Sequence, residues 1–100
     1  MDKPLTIDYL QEYIKKTDYN PDMKQHYFYK LIEEVGELSE VIRKNKRLND
    51  NENQTIKGTI EEELYDVLYY VAALANVYEI NLEECFKLKE ELNKEKWNKK

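Results

Sequence analysis

Two acidic stretches carry the chemistry this sequence could do. Glu33-Glu34-Val35-Gly36-Glu37 and Glu63-Leu64-Tyr65-Asp66 each hold carboxylates three residues apart. In a helix that spacing sets both acids on one face, one turn apart. Each stretch also lies in an apolar run, where a carboxylate is costly to bury unless something positive compensates it. A divalent cation is the obvious compensator.

At about 100° per residue, the later stretch belongs to a helix whose apolar arc centres on Ile60, Val67, Val71 and Tyr78. Glu63 falls inside that arc and Asp66 at its edge, whereas Glu61 and Glu62 point away as ordinary solvated acids. On the earlier helix, Glu34 borders the apolar stripe, Glu37 lies just beyond it, and Glu33 and Glu40 lie further round. If the two helices pack antiparallel, Glu34 and Glu37 face Glu63 and Asp66 across the seam. Four inward carboxylates repel one another, and some must take up protons unless cations are bound. All-oxygen ligands of this kind suit Mg²⁺ or Mn²⁺.

The elements that would position these acids are helical. Ile7, Leu10 and Ile14 recur at helical spacing behind Thr6, a suitable N-cap, so a short first helix is expected over 6–16. Asn20-Pro21 reads as the N-cap and first residue of a second helix over 21–46, striped by Tyr27, Phe28, Leu31, Val35, Leu38 and Ile42. Gly36 in mid-helix implies close packing against a neighbouring helix or room beside the acids, and the two are compatible. The Asn-rich segment 46–58 has no periodicity and reads as a mobile loop. Thr59-Ile60-Glu61-Glu62 and Asn81-Leu82-Glu83-Glu84 are capping boxes opening a third helix to about 78 and a fourth to about 97. Leu82, Cys85, Leu88 and Leu92 would form the fourth helix's buried side. The expected fold is an all-α helical bundle, a single domain over 1–100, with the two long acidic helices at its centre.

Composition agrees and narrows the partners. With 37% charged residues and only two Gly and two Pro in 100, a turn-rich β protein is disfavoured. A net charge of −5 gives no bulk attraction to a nucleic acid polymer or an anionic membrane. The lysines near the C-terminus (Lys94, Lys96, Lys99, Lys100) are interspersed with acids and read as a solvated helix end. The single cysteine, Cys85, precludes an intrachain disulfide and reads as a small core residue. Met1-Asp2-Lys3-Pro4 leads straight into an amphipathic segment, and no apolar run approaches a membrane span, so a cytoplasmic protein is expected. The only histidine, His26, has no partner at the spacing of a di-iron Glu-x-x-His pair.

On the fourth helix, Lys89, Asn93 and Trp97 recur every four residues and share a face. A cation, an amide and an indole suit phosphate and base contacts, although an ordinary helix end has the same composition.

From Lys30 to Trp97 the chain resembles the MazG-like family of all-α nucleoside triphosphate pyrophosphohydrolases. The matching stretches are Lys30-Leu31-Ile32-Glu33-Glu34-Val35-Gly36-Glu37-Leu38-Ser39-Glu40 and Glu62-Glu63-Leu64-Tyr65-Asp66-Val67-Leu68-Tyr69-Tyr70. Leu74-Ala75-Asn76 and the Lys89/Asn93 pair extend the match. The resemblance implies Mg²⁺-dependent hydrolysis of a nucleoside triphosphate between its α- and β-phosphates, giving a monophosphate and pyrophosphate. It implies Glu34, Glu37, Glu63 and Asp66 as metal ligands, and Glu33 as a further ligand or the group orienting the attacking water. Lys89 and Asn93 would hold the phosphates and Tyr70 would lie against the sugar or base. Trp97 stands where the family often ends in an Arg-aromatic pair, but Lys96 precedes it here. Small members of the family assemble as dimers or tetramers, and the nine Tyr, two Phe and one Trp suit such an interface, so a homotetramer or homodimer is expected. Two other readings remain: the related phosphoribosyl-ATP pyrophosphohydrolase, sharing the fold and acidic helices, and a non-catalytic helical interaction module.

Overall fold

A computed structural model describes residues 4–50, 52 and 55–98. Four helices follow one another: α1 (Ile7–Thr17), α2 (Lys24–Arg43), α3 (Ile60–Val77) and α4 (Leu82–Asn98). Short 3₁₀ turns at Pro21–Met23 and Leu48–Asp50 interrupt the connections on either side of α2. There is no strand among the described residues, and none of their helices is long and apolar enough to cross a membrane. Met1–Lys3, part of Asn51–Gln54, and Lys99 and Lys100 of the expected basic end lie outside the described residues.

The caps follow the sequence closely at three of four helix starts. Thr6 Oγ1 accepts from the Tyr9 amide at 3.0 Å, Thr59 Oγ1 from the Glu62 amide at 3.1 Å, and Asn81 Oδ1 from the Glu84 amide at 2.7 Å. At α3 the returning arm of the box goes one residue further back than expected: Glu62 Oε1 accepts from the Gly58 amide at 2.6 Å, because the Thr59 amide is already bonded to the Ile56 carbonyl. The second helix starts later than expected. Pro21 opens the 3₁₀ turn and Asn20 makes no side-chain cap, so α2 begins only at Lys24.

Both long helices stop in the same way. After α2, the Lys46 amide bonds the Val41 carbonyl and the Asn45 amide the Ile42 carbonyl, with Asn45 at φ 53°. After α3, the Ile80 and Glu79 amides bond Ala75 and Asn76 carbonyls, with Glu79 at φ 57°. This is the Schellman arrangement, which needs one residue in the left-handed region. It ends α2 at Arg43, short of the expected 46.

The core lies where α1 crosses the α2–α3 pair: Leu10 and Ile14 meet Tyr27, Ala72, Ala73 and Val77. Small side chains on α3 let α1 approach closely. The pair itself is antiparallel, since the Ile60 amide at the start of α3 bonds the Lys46 carbonyl just beyond α2. Gln11 and Asn76, both buried, close the other end. Gln11 Nε2 donates to Asn76 Oδ1 (3.0 Å) and the Ile80 carbonyl (2.8 Å). Asn76 Nδ2 donates to the Gln11 carbonyl (2.9 Å), and Gln11 Oε1 accepts from the Leu82 amide (2.9 Å). Every polar atom of the two amides that burial takes from water is thereby repaired.

Several expected core positions are not core. Cys85 is exposed, and Leu88 and Leu92 keep 66% and 56% of their surface. The reason is that α4 leans on α1 rather than on the α2–α3 pair, so its apolar side has no cover in one chain. Tyr78 is likewise exposed, and Phe28, Val35 and Ile42 of the α2 stripe are about half exposed. Gly36 has no atom within 4 Å of where a Cβ would stand, so no helix of the same chain packs there. The 46–58 segment is better anchored than a free loop in its described part: Glu61 accepts from Arg47 Nε (2.8 Å) and from the Leu48 amide (2.9 Å).

Candidate metal and nucleotide site

The antiparallel pairing brings Glu34 of α2 against Glu63 and Asp66 of α3, with carboxylate oxygens of all three within 4.8 Å of one another. Glu33, Glu34 and Glu37 form a second group within the same distance, so Glu34 is shared. The four acids expected as ligands, and Glu33 with them, therefore lie in one cluster.

Burial is uneven across it. Glu63 is 6% exposed, Glu34 and Asp66 are half-buried, and Glu33 and Glu37 face solvent. Burial, a hydrogen bond with Glu34 and the charges of Glu37 and Asp66 push the Glu63 carboxyl up to about 7. Glu34 and Asp66 are also raised, first by burial; for Glu34 the Glu63 hydrogen bond partly offsets this, and for Asp66 the charges of Glu62 and Glu37 add to it. Glu63 Oε1 is buried with no hydrogen-bond partner. A buried carboxylate oxygen left bare is costly. It is the atom a cation would satisfy, and the oxygen-only donor set fits a hard divalent ion.

Lys30 is the functional candidate that the sequence reading left without a role. Its Nζ pairs with Glu33 Oε1 at 3.0 Å, and the pairing with Glu33 and the charges of Tyr70 and Glu34 raise its pKa. The signal was in the spacing, since Lys30 stands three and four residues before Glu33 and Glu34. Tyr70 sits half-buried at the same place, its pKa raised by burial and by Asp18, Glu34 and Asp66 against the pull of Lys30. Its ring meets Tyr69 edge-on at 4.9 Å.

Glu61, expected to be an ordinary solvated acid, instead ties down the loop. Burial opposes its ionisation, but the Leu48 amide and Arg47 outweigh that and lower its pKa. Glu62 caps Gly58.

Lys89, Asn93 and Trp97 are not brought to the acids within one chain. Lys89 and Trp97 are exposed on α4, and Asn93 Nδ2 reaches only Glu90 Oε2, at 3.5 Å. Among the described residues no hydrogen bond or ion pair joins them to α2 or α3. His26 touches Tyr27 edge-on at 5.9 Å and makes no ion pair among the described residues.

Comparison with known proteins bears on what such a cluster does. The family model of the MazG nucleotide pyrophosphohydrolase domain matches residues 23–96. Two crystal structures of iMazG from Vibrio DAT 722 are similar throughout. The Ntag-iMazG form is 55% identical, with 94% of this chain and 99% of that chain covered and a TM-score of 0.86. The Ctag-iMazG form is 56% identical, over 90% of this chain and 99% of that chain, with a TM-score of 0.83. No curated protein matches.

Proposed function

Because the chain belongs to the MazG nucleotide pyrophosphohydrolase family, a group of hydrolases acting on nucleotide phosphoanhydrides, we propose that it cleaves a nucleoside triphosphate between the α- and β-phosphates. The products would be a nucleoside monophosphate, ribo or deoxy, and pyrophosphate. The observation that carries this reading is the buried Glu63 carboxylate, one oxygen of it bare, clustered with Glu34 and Asp66. A helical interaction module has no use for such a group, because replacing it with an apolar side chain would only stabilise the fold.

Glu34, Glu37, Glu63 and Asp66 would hold Mg²⁺ or Mn²⁺. When bound, the ion neutralises polyphosphate charge and polarises the attacked phosphorus. Glu33, exposed beside them, is the proposed acceptor for the proton of the attacking water. Its ion pair with Lys30 holds the carboxylate in place. Tyr70 supplies a half-buried phenol at the rim, suited to the sugar or base. Lys89 and Asn93 are the proposed phosphate contacts and Trp97 a base contact, reaching the acids when copies of the chain assemble.

Assembly as a homotetramer or homodimer is supported by the uncovered apolar rows on both long helices. Phe28, Ile32, Val35 and Ile42 on α2, and Leu64 and Leu68 on α3, are each 39–54% exposed. Such rows are more than a small monomer usually leaves wet. The cytoplasm, where nucleoside triphosphates are made and used, is the compartment we propose for the protein.

The test is pyrophosphate release from a panel of ribo- and deoxyribonucleoside triphosphates, with and without Mg²⁺. Release that depends on metal and disappears in Asp66→Asn is expected. Silence across the panel from a folded, metal-binding protein would sink the proposal.

A further inference from the structure

The two halves of the carboxylate cluster stand on different helices, so their separation depends on how α2 is held against α3. Apolar burial is non-directional, and on α2 and α3 much of the large apolar surface stays about half exposed, so burial alone sets their register weakly. Hydrogen bonds set it more firmly, because they lose strength steeply with distance and angle. Besides the Glu34–Glu63 contact of the cluster itself, one side-chain link among the described residues reaches both helices from a third element. Asp18, at the end of α1, accepts from the Tyr27 hydroxyl of α2 at Oδ1 (2.8 Å) and from the Tyr69 hydroxyl of α3 at Oδ2 (2.6 Å). The Asp18 amide is itself bonded to the Ile14 carbonyl at 2.7 Å, and the Tyr27 hydroxyl accepts from the Asn20 amide at 3.0 Å. Burial and Asp18 raise the pKa of both phenols, so both remain donors.

The link sits close to the acids along each helix. Tyr69 is three residues beyond Asp66 and Tyr27 seven before Glu34, roughly 5 and 10 Å of helix rise. We infer that Asp18 is a positioning residue for the carboxylate cluster: by bridging Tyr27 and Tyr69 it fixes the spacing across which Glu34 faces Glu63 and Asp66. Among the described residues no hydrogen bond joins Asp18 to the acids; its side chain bonds the two tyrosines. The inference rests on the metal-binding reading of those acids.

Mn²⁺ titration of the metal-free protein by calorimetry tests it, with each variant checked by circular dichroism to be fully folded. Tyr27→Phe and Tyr69→Phe each remove one hydroxyl and are expected to weaken Mn²⁺ binding roughly three-fold; Asp18→Ala, which removes both links, should weaken it roughly ten-fold, the lower end of what outer-sphere changes do at metal sites. Gln11→Ala is the control. It deletes buried hydrogen bonds from α1 to Asn76, ten residues beyond Asp66 on α3, and to the α3–α4 turn, so it lowers stability without touching the Tyr27–Asp18–Tyr69 link. Unchanged Mn²⁺ affinity in Asp18→Ala, or an equal loss in Gln11→Ala, overturns the positioning role. Should Asp18→Ala fail to fold, the two phenylalanine variants decide by the same criterion. A wild-type protein that takes up no Mn²⁺ overturns the metal reading and this role with it; a wild-type protein that binds while the phenylalanine variants bind equally well overturns the role of Asp18 alone.

Discussion

Glu63 and Glu34 share a hydrogen bond across the α2–α3 seam, and one of the two can make it only while protonated. A carboxyl that titrates near 7 in the fold and near 4.5 when unfolded links pH to stability. The folded pKa is the higher one, so Glu63's contribution is fully present below about pH 4.5 and is lost as pH rises through about 7. A shift of that size corresponds to roughly 3 kcal/mol. Glu34 and Asp66 move in the same direction. The metal-free protein should therefore lose urea resistance between pH 5 and 8, and saturating Mg²⁺ should restore it at the upper end. Denaturation midpoints at four or five pH values, with and without metal, check both halves.

The same coupling has an inverse in binding. A metal ion needs the carboxylates ionised, so it competes with protons for the cluster. Mn²⁺ affinity should fall steadily as pH drops below about 7, while stability of the metal-free fold improves. An affinity flat from pH 8 to 5.5 would mean that Glu63 is not a ligand.

Glu63→Gln separates function from fold. The amide keeps the shape and a hydrogen bond to Glu34 but removes a buried charge. Pyrophosphate release should drop at least about a hundred-fold. At pH 8 without metal, the variant should be more stable than wild type by about 1–3 kcal/mol. Activity assays and chemical denaturation of one preparation measure the two effects together.

The site's acids were legible in the sequence because helical periodicity alone makes Glu63 anomalous: a charged residue on an apolar arc is visible without coordinates. Glu34 and Glu37 follow once the antiparallel pairing is assumed. What periodicity cannot say is which apolar arc is covered. Leu88, Leu92 and Cys85 have helical spacing, yet α4 finds no partner for them within one chain. On α3, small residues decide instead, for Ala72 and Ala73 are buried completely while the larger Leu64 and Leu68 are not. Asp18 was invisible for a different reason. Its role comes from two tyrosines 9 and 51 residues away, and no local pattern joins them.

Glu79 is a cheap place to gain stability. It holds φ 57° at the stop of α3, where a Cβ is strained and glycine, lacking one, is not. Glu79→Gly should raise stability by about 1 kcal/mol, provided the Glu79 and Ile80 amides keep their bonds to Asn76 and Ala75. Asn45 fills the equivalent position after α2 and tolerates it better, so Asn45→Gly should gain less. Thermal melts of the two variants give the comparison.

The uncovered rows on α2 and α3 make a prediction about assembly. Leu64 and Leu68 lie one turn apart on α3 and are 54% and 39% exposed, although both are large and apolar. If copies of the chain cover them, a charge there must be desolvated and left unpaired, which costs several kcal/mol at an interface. If water covers them, the same charge is nearly neutral. Leu68→Glu should therefore shift the protein to monomer in light scattering after size exclusion, while Leu5→Glu, at an exposed site ahead of α1, should not. Because Lys89, Asn93 and Trp97 do not meet the acids in a single chain, the monomeric variant should also lose triphosphate hydrolysis while retaining Mn²⁺ binding at Glu34, Glu63 and Asp66. Hydrolysis at the wild-type rate by a proven monomer would show that one chain holds the whole site.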